Sequence, residues 1–191
     1  VLTALLLLGQ PAAAECLITG EAYRIGASAA VVIDAESGEV LFAQEPHRRL
    51  PMASTTKIMT AWLALEQPDL YQEFTVDANA LQVEGSSMGL QAGDTVTLYA
   101  LAVGMLLASG NDAAGGAAVR ICGSTQAFAK EMNRRASSLG MNNTNFVTPS
   151  GLDADEHYST AYDMALLARA ALQNPLFAEI AASRRMTVRY G

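Results

Sequence analysis

The spacing of apolar residues divides the chain into a strand-rich beginning and a helical remainder. Two short apolar runs, at 29–33 and 39–43, are typical of strands. The turn residues at 35–38 (Ala-Glu-Ser-Gly) lie between them and predict a hairpin. A loop with two prolines follows, and the apolar stretch at 58–65 is then long enough for a buried helix that ends before Pro68.

Start and stop signals predict further helices along the rest of the chain. Thr97 and Ser124 are placed as N-caps, and Thr160 with Asp163 resembles a capping box. Asp112 and Asp163 are each expected to cap the helix that they begin. The predicted helices cover 98–108, 112 to about 121, 125 to Gly140, 161 to Pro175, and a short piece at 176–182.

The end of the chain changes pattern again. Residues 186–190 (Met-Thr-Val-Arg-Tyr) are typical of the beginning of a strand. The order of strands, then helices, then a strand predicts an α+β fold, with helices packed on an antiparallel sheet.

Composition limits the kinds of partner that the chain can have. With 191 residues, of which 51% are hydrophobic, it is long enough for one domain with a sizeable core. The formal net charge of -7 and the pI near 4.7 argue against nucleic acid and anionic membrane as electrostatic partners.

The first residues have the pattern of a secretory signal. The apolar run 1–8 is broken by Gly9-Gln10-Pro11, and Ala12-Ala13-Ala14 then matches an A-x-A cleavage site. The run is far shorter than the roughly 20 apolar residues that a membrane-spanning helix requires. We therefore expect residues 1–14 to be the remnant of a signal peptide, and residues 15–191 to form an exported domain.

Two cysteines leave the redox state open. Cys16 and Cys122 could pair in an oxidising compartment, or Cys122 could be a plain buried thiol near a helix end.

Candidate chemistry begins at Ser54-Thr55-Thr56-Lys57, directly before the apolar helix at 58–65. Residues three apart lie on the same face of a helix, so Ser54 and Lys57 are expected to face each other. An apolar setting lowers a lysine pKa, and a neutral amine beside a serine hydroxyl makes an activated nucleophile. The same residues could also form a simple N-cap with a solvated lysine.

A second candidate lies in a loop between two apolar helices. Ser109-Gly110-Asn111 offers a hydroxyl for proton relay and a carboxamide for binding, although these residue types are also common in loops. The combination of S-x-x-K and a later S-x-N is more specific than either motif alone.

With these motifs and further matching segments, the sequence resembles the penicillin-binding D-alanyl-D-alanine carboxypeptidases of low molecular mass. The resemblance extends from about Ala27 to the last residue, in segments that follow one another in the family's order. The matching segments are 51–61 (PMASTTKIMTA), 85–88 (GSSM), 109–114 (SGNDAA), 139–144 (LGMNNT), 149–152 (PSGL) and 157–164 (HYSTAYDM).

The resemblance implies a role for each candidate. Ser54 would attack the carbonyl of a D-Ala-D-Ala bond in a peptidoglycan stem peptide and form an acyl-enzyme, with Lys57 as the base. Ser109 would relay a proton to the leaving amine, and Asn111 would hold the substrate amide. The backbone N–H of Ser54 would be one oxyanion donor. A β-lactam would acylate the same serine. No cofactor or metal is expected. Ser86 and Ser87 would line the entrance of the cleft and bind substrate, although the sequence Gly-Ser-Ser is also common in loops.

One motif of the family is missing from the sequence. K-T-G, whose lysine and threonine bind the terminal carboxylate of the substrate in the family, occurs nowhere in the 191 residues. The chain is therefore expected to be the N-terminal part of the catalytic domain and to turn over substrate poorly by itself. Membrane anchoring is expected only through a C-terminal segment that the sequence does not include.

Three alternatives remain in view. A class A β-lactamase shares the nucleophile, but its Glu-x-x-Leu-Asn element is absent from the sequence. A zinc D,D-peptidase needs clustered ligands, whereas His47 and His157 are far apart and are expected in core or surface positions. The third alternative is an inactive relative or fragment that only binds peptidoglycan.

Overall fold

The computed structural model describes residues 25–81 and 84–191. The predicted signal remnant at 1–14 and Cys16 lie outside the described residues. The signal peptide, the 15–191 domain boundary and a Cys16–Cys122 pairing therefore stay predictions.

The predicted hairpin is present near the start of the described chain. Strand β1 (Ala30–Ile33) pairs antiparallel with β2 (Val40–Gln44), in a register that sets Ala30 opposite Gln44, with a bulge between Val32 and Ile33. The turn between the strands is closed by Asp34, whose side chain accepts hydrogen bonds from the backbone N–H and the hydroxyl of Ser37.

Helix α1 (Lys57–Leu65) is the centre of the molecule. Every one of its residues except Ile58 is buried, as expected of a helix that is apolar on all sides. It contacts all five of the later helices and is entered through a 3₁₀ turn at Ala53–Thr56. The predicted serine–lysine pair therefore spans the junction between this turn and α1.

Two further helices, joined by a short turn, pack on α1 and on each other. Thr97 caps α2 (Leu98–Ala108) by accepting a hydrogen bond from the N–H of Ala100, as predicted. Helix α3 (Asn111–Cys122) begins only three residues after α2 ends, so the two helices are joined by Ser109-Gly110 alone. The two-stranded ladder of β3 (Phe74–Thr75) and β4 (Thr95–Val96) lies beside this pair, between α1 and α2 in the chain.

The last three helices complete the helical layer. Ser124 caps α4 (Thr125–Ser138), and Thr160 caps α5 (Ala161–Ala171), which contacts both β1 and α1. Helix α6 is Pro175–Ala182. Pro175 therefore opens α6 rather than closing α5, because the first turn of a helix does not use the N–H that proline lacks.

Two local predictions were wrong. The carboxylate of Asp163 does not cap its own helix, because it accepts hydrogen bonds from the N–H of Asn143 and the hydroxyl of Thr144. Residues 186–190 form no strand, because a strand needs a partner ladder. The backbone contact at that end is a pair of hydrogen bonds between Thr95 and Gly191.

The fold class itself is α+β, as predicted, with helices packed against small antiparallel sheets. Within residues 25–81 and 84–191, none of the helices combines the length and the apolar character that crossing a membrane would require.

Candidate active site

Ser54 and Lys57 face each other at the start of α1. The Nζ of Lys57 lies 3.2 Å from the Oγ of Ser54, within hydrogen-bond distance. Ser54 is exposed, whereas Lys57 retains only 2% of its accessible surface. The pair therefore combines a hydroxyl open to an incoming substrate with an amine withdrawn from water.

The surroundings of Lys57 favour its neutral form. Burial lowers the pKa of Lys57 below its ordinary value, because removal from water penalises the ammonium. The ion pairs found among the described residues are all formed by arginines, so no carboxylate there offsets this effect. The second partner of the Nζ is a neutral group, the backbone carbonyl of Ser150 at 2.7 Å. A lysine in this setting is suited to act as a base.

The backbone around the pair is tightly constrained. Ala53, directly before Ser54, has a φ of 44°, a conformation that costs a residue with a Cβ roughly 1–2 kcal/mol. Gly151 has a φ of +86°, and a Cβ on it would lie 1.9 Å from the carbonyl oxygen of Ala53. Strained backbone of this kind is retained where the surrounding structure determines it, which is common at functional sites.

A cavity of about 300 Å³ opens beside the exposed hydroxyl of Ser54. Ser86 and Asn111 line it on one side, and the Ser150-Gly151 loop lines it on the other. The lining residues are Ala53, Ser54, Gly85, Ser86, Asn111, Ser150, Gly151, Leu152 and Asp153.

Asn111 connects the start of α3 to one wall of this cavity. Its side-chain Nδ2 donates to the carbonyl of Glu84 at 2.5 Å, and its backbone N–H donates to the carbonyl of Ser86 at 2.7 Å. Gly85 has a φ of +95° and passes so close that a Cβ there would lie 2.9 Å from that Nδ2. Asn111 thus holds the 84–86 segment while its side chain borders the cavity.

Asp112 is not the N-cap of α3, contrary to the prediction, although its carboxylate also accepts a 2.8 Å hydrogen bond from the N–H of Ala113 in the first turn. Its carboxylate accepts a 2.6 Å hydrogen bond from the hydroxyl of Ser87 and 3.0 Å hydrogen bonds from the three backbone N–H groups at 88–90. Burial by itself raises the pKa of Asp112, but these hydrogen bonds outweigh it and hold the pKa below 3.8. Four N–H and O–H groups of one loop therefore converge on a single buried carboxylate, because buried donors require an acceptor. The N–H of Gly89 also donates to the hydroxyl of Ser87 at 2.8 Å.

Ser87 and Ser109, the two remaining candidates, do not line the cavity. The hydroxyl of Ser87 is engaged by Asp112, whereas Ser86 borders the cavity. Ser109 ends α2 in the left-handed conformation, with a φ of 55°, and in the described part of the chain its hydroxyl forms no hydrogen bond. The relay role of Ser109 and the substrate-binding role of Ser87 stay predictions.

The two histidines lie in different surroundings. His47 is exposed and its ring lies 5.1 Å from that of Tyr162. His157 is 5% exposed, and its Nε2 lies 3.0 Å from the hydroxyl of Thr56, the residue before Lys57. In the part of the chain that the structure describes, no three His, Cys, Asp or Glu side chains are grouped to hold a metal ion.

The contribution of Ser150 and Gly151 to the site was not predicted from the sequence. The segment Pro149-Ser150-Gly151-Leu152 matches the family, but its sequence does not indicate a role for it. The sequence feature that could have indicated it is Gly151 after Pro149-Ser150, because glycine beside turn-forming residues is typical of a backbone with a positive φ. That the carbonyl of Ser150 reaches Lys57 depends on a contact between residues 93 positions apart.

Comparison with known proteins assigns the chain to a family. The profile of the D-alanyl-D-alanine carboxypeptidase family, Peptidase_S11, matches residues 17–190. The chain therefore belongs to the D-alanyl-D-alanine carboxypeptidase family.

Individual relatives agree with this assignment. The chain is 39% identical over 152 residues to D-alanyl-D-alanine carboxypeptidase DacF of Bacillus subtilis, an alignment that covers 77% of the chain and 39% of the relative. It resembles the crystal structure of D-alanyl-D-alanine carboxypeptidase DacD from Francisella tularensis with a TM-score of 0.80 and 36% identity, over 84% of the chain and 40% of that structure.

A third comparison concerns penicillin binding protein 6B from Escherichia coli. Its crystal structure matches with a TM-score of 0.81 and 32% identity, over 90% of the chain and 58% of that structure. The chain thus spans about 39% to 58% of the lengths of these three proteins.

Proposed function

We propose that the protein carrying this chain is a serine D-alanyl-D-alanine carboxypeptidase. Its substrate would be the peptidoglycan stem peptide, from which it removes the terminal D-alanine. The observation that carries this proposal is the 3.2 Å contact between the exposed Ser54 hydroxyl and the buried Lys57 amine. Membership of the family supports the choice of substrate.

The reaction begins with attack by Ser54. Its Oγ forms a bond to the penultimate D-alanine carbonyl carbon, and its proton passes to the neutral Nζ of Lys57. The negative charge on the carbonyl oxygen is stabilised by the backbone N–H of Ser54. The C–N bond then breaks, the amine receives a proton, and D-alanine leaves. Water hydrolyses the resulting ester and restores the serine.

The cavity beside Ser54 gives the substrate its binding surface. Asn111 and Ser86 present polar groups along one wall, and hydrogen-bonding groups on a wall can fix the orientation of an extended peptide. In this proposal Asn111 binds the substrate amide and Ser109 relays the proton to the leaving amine. Ser86 borders the entrance, next to Ser87, whose hydroxyl donates to Asp112. A β-lactam would acylate Ser54 in the same way, and no cofactor takes part.

The substrate also sets the compartment. Peptidoglycan lies outside the cytoplasmic membrane, so the enzyme would act on the extracytoplasmic side after export. The signal-like pattern of residues 1–14 supports export.

Acylation by a labelled penicillin tests the proposal. We expect intact-mass analysis to find one penicillin per protein molecule, and peptide mapping to locate it on Ser54. Ser54→Ala should abolish the adduct, whereas Ser137→Ala, at an exposed serine of α4, should leave it unchanged.

Two other results would contradict the proposal. An adduct on a residue other than Ser54 would refute the assignment of the nucleophile. Rapid release of hydrolysed penicillin, without a long-lived adduct, would instead favour a β-lactamase. Release of D-alanine from a peptide ending in D-Ala-D-Ala, measured on the same preparation, identifies the carboxypeptidase directly.

A further inference from the structure

Lys57 makes two hydrogen bonds, and the one to the carbonyl of Ser150 is the shorter. This carbonyl oxygen lies 2.7 Å from the Nζ, compared with 3.2 Å for the Oγ of Ser54. A hydrogen bond to this carbonyl directs the amine and leaves the nitrogen facing the serine. The position of the base therefore depends on whatever holds the loop at 147–151.

A single imidazole connects this loop to the turn that carries the serine. The Nδ1 of His157 accepts hydrogen bonds from the backbone N–H of Val147 at 2.9 Å and of Thr148 at 3.3 Å. Its Nε2 lies 3.0 Å from the hydroxyl of Thr56, which precedes Lys57. Thr56 and His157 are buried, with 0% and 5% of their surface exposed.

The contacts determine which nitrogen of the ring carries the proton. Backbone N–H groups can only donate, so the Nδ1 of His157 must be an unprotonated acceptor. The proton of the neutral ring is then on Nε2, which donates to the hydroxyl of Thr56. Burial also lowers the pKa of His157, against a smaller opposing effect of Asp153, and this favours the neutral ring.

We propose that His157 is a positioning residue of the active site, which holds the 147–151 loop so that the carbonyl of Ser150 directs Lys57 toward Ser54. This inference rests on the proposed function, because it assigns a role within the same acylation step. His157 does not touch the reacting atoms, so its effect is on the placement of the base.

Other contacts of the loop define what His157 adds. The hydroxyl of Thr60 donates to the carbonyl of Pro149 at 2.7 Å, and Gly151 lies against Ala53. These contacts hold the far end of the loop, while the N–H groups at 147 and 148 have no acceptor other than His157 within the described residues. Loss of the imidazole should therefore displace the loop without unfolding the protein.

Three substitutions distinguish the contribution of the Nδ1 contact from that of the Nε2 contact. His157→Asn keeps an acceptor oxygen near the position of Nδ1 and loses the contact with Thr56. His157→Gln keeps a donor near the position of Nε2 and loses the acceptor for the loop. His157→Leu loses both, and His47→Asn is the matched control at an exposed histidine.

The measurement is acylation by a labelled penicillin over a range of concentrations. It yields the limiting acylation rate constant and the concentration for half-saturation separately. In His157→Gln and His157→Leu we expect the rate constant to fall about tenfold to a hundredfold at unchanged half-saturation, since small displacements of a catalytic group have effects of this size. His157→Asn should recover most of the rate, and His47→Asn should equal the wild type.

Three results would overturn the inference. One is a rate constant for His157→Leu within about twofold of the wild type, a smaller change than a displaced base produces. Another is an equal loss in the Asn, Gln and Leu variants that follows their thermal unfolding midpoints, because the ring would then act only on stability. The third is a ¹⁵N NMR spectrum that shows the proton of His157 on Nδ1.

The NMR result does not depend on catalysis. If the wild type forms no adduct on Ser54, the proposed function fails, while the tautomer and the ¹⁵N shift of the Lys57 amine in the three variants still report on the positioning contact. An unchanged Lys57 shift in His157→Leu would then refute that contact.

Discussion

Gly151 lies against the carbonyl oxygen of Ala53, so close that a Cβ on the glycine would lie 1.9 Å from that oxygen. The contact joins the loop that holds Lys57 to the turn that presents Ser54. Both backbones also have positive φ values, +86° at Gly151 and 44° at Ala53. The close approach therefore depends on the absence of a side chain at residue 151.

Gly151→Ala is expected to disturb both stability and acylation. The added methyl group must displace the Ala53 backbone, at a cost of roughly 1–3 kcal/mol for overpacking. The positive φ adds roughly 1–2 kcal/mol. Urea unfolding measures the sum, and the rate of penicillin acylation should fall together with it because Ser54 is displaced.

Gly123→Ala provides the matched control. Gly123 has a similar φ of +76°, but no atom of the described residues lies within 4 Å of its Cβ position. Gly123→Ala should lose only the roughly 1–2 kcal/mol of unfolding free energy that the positive φ costs, and its acylation rate should be normal. Equal losses of stability in the two variants would contradict the steric argument.

The contacts within single elements were predictable from the sequence, whereas those between distant segments were not. Thr97, Ser124 and Thr160 cap their helices as predicted, because a cap is decided by residues three apart. Asp112 and Asp163 bind distant loops instead, because N–H groups buried by tertiary packing require an acceptor.

The same distinction applies to the candidate site. The spacing of Ser54 and Lys57 predicts that they face each other, since three residues make nearly one helical turn. The carbonyl of Ser150 and the imidazole of His157 reach this pair from sequence distances of 93 and 101 residues. No local pattern encodes such contacts.

Asp112 is expected to be the main anchor of the 87–90 segment. Asp112→Asn replaces a charged acceptor by a neutral amide whose NH₂ cannot accept, so some N–H groups of the loop lose their partner. We expect a loss of roughly 3 kcal/mol in the free energy of unfolding, because breaking a buried charged network has this order of cost.

Proteolysis gives a second readout of the same substitution. Cleavage within 87–90 should become faster in Asp112→Asn than in the exposed control Asp155→Asn. A stability and a cleavage rate equal to those of the control would show that the loop is held by other contacts.

Lys57 is expected to act in its neutral form. Because burial lowers its pKa from the ordinary value of 10.5, the acylation rate should rise with pH to a plateau whose midpoint lies below that value. Lys57→Arg keeps a permanent charge and should reduce acylation roughly 10²–10⁴-fold, the usual contribution of a general base.

The matched control is Lys130→Arg, at the other lysine of the chain, which lies exposed on α4. It should acylate at the wild-type rate with an unchanged pH profile. A pH-independent wild-type rate, or full acylation of Lys57→Arg, would show that another group accepts the proton of Ser54.

His157 should make the folded state less stable in acid. Its pKa is lowered on folding by burial, so between the unfolded value of 6.5 and the lower folded value the unfolded chain binds more protons than the folded one. The stability that depends on the neutral ring is fully present above pH 6.5 and is lost as the pH falls through the folded pKa.

Urea unfolding at a series of pH values measures the slope of the free energy of unfolding against pH. His157→Asn should flatten it because no titrating ring remains, whereas His47→Asn should keep the wild-type slope. A slope that is the same in wild type and His157→Asn would mean that the ring is already accessible to protons in the folded protein, which its contacts with Val147 and Thr56 exclude.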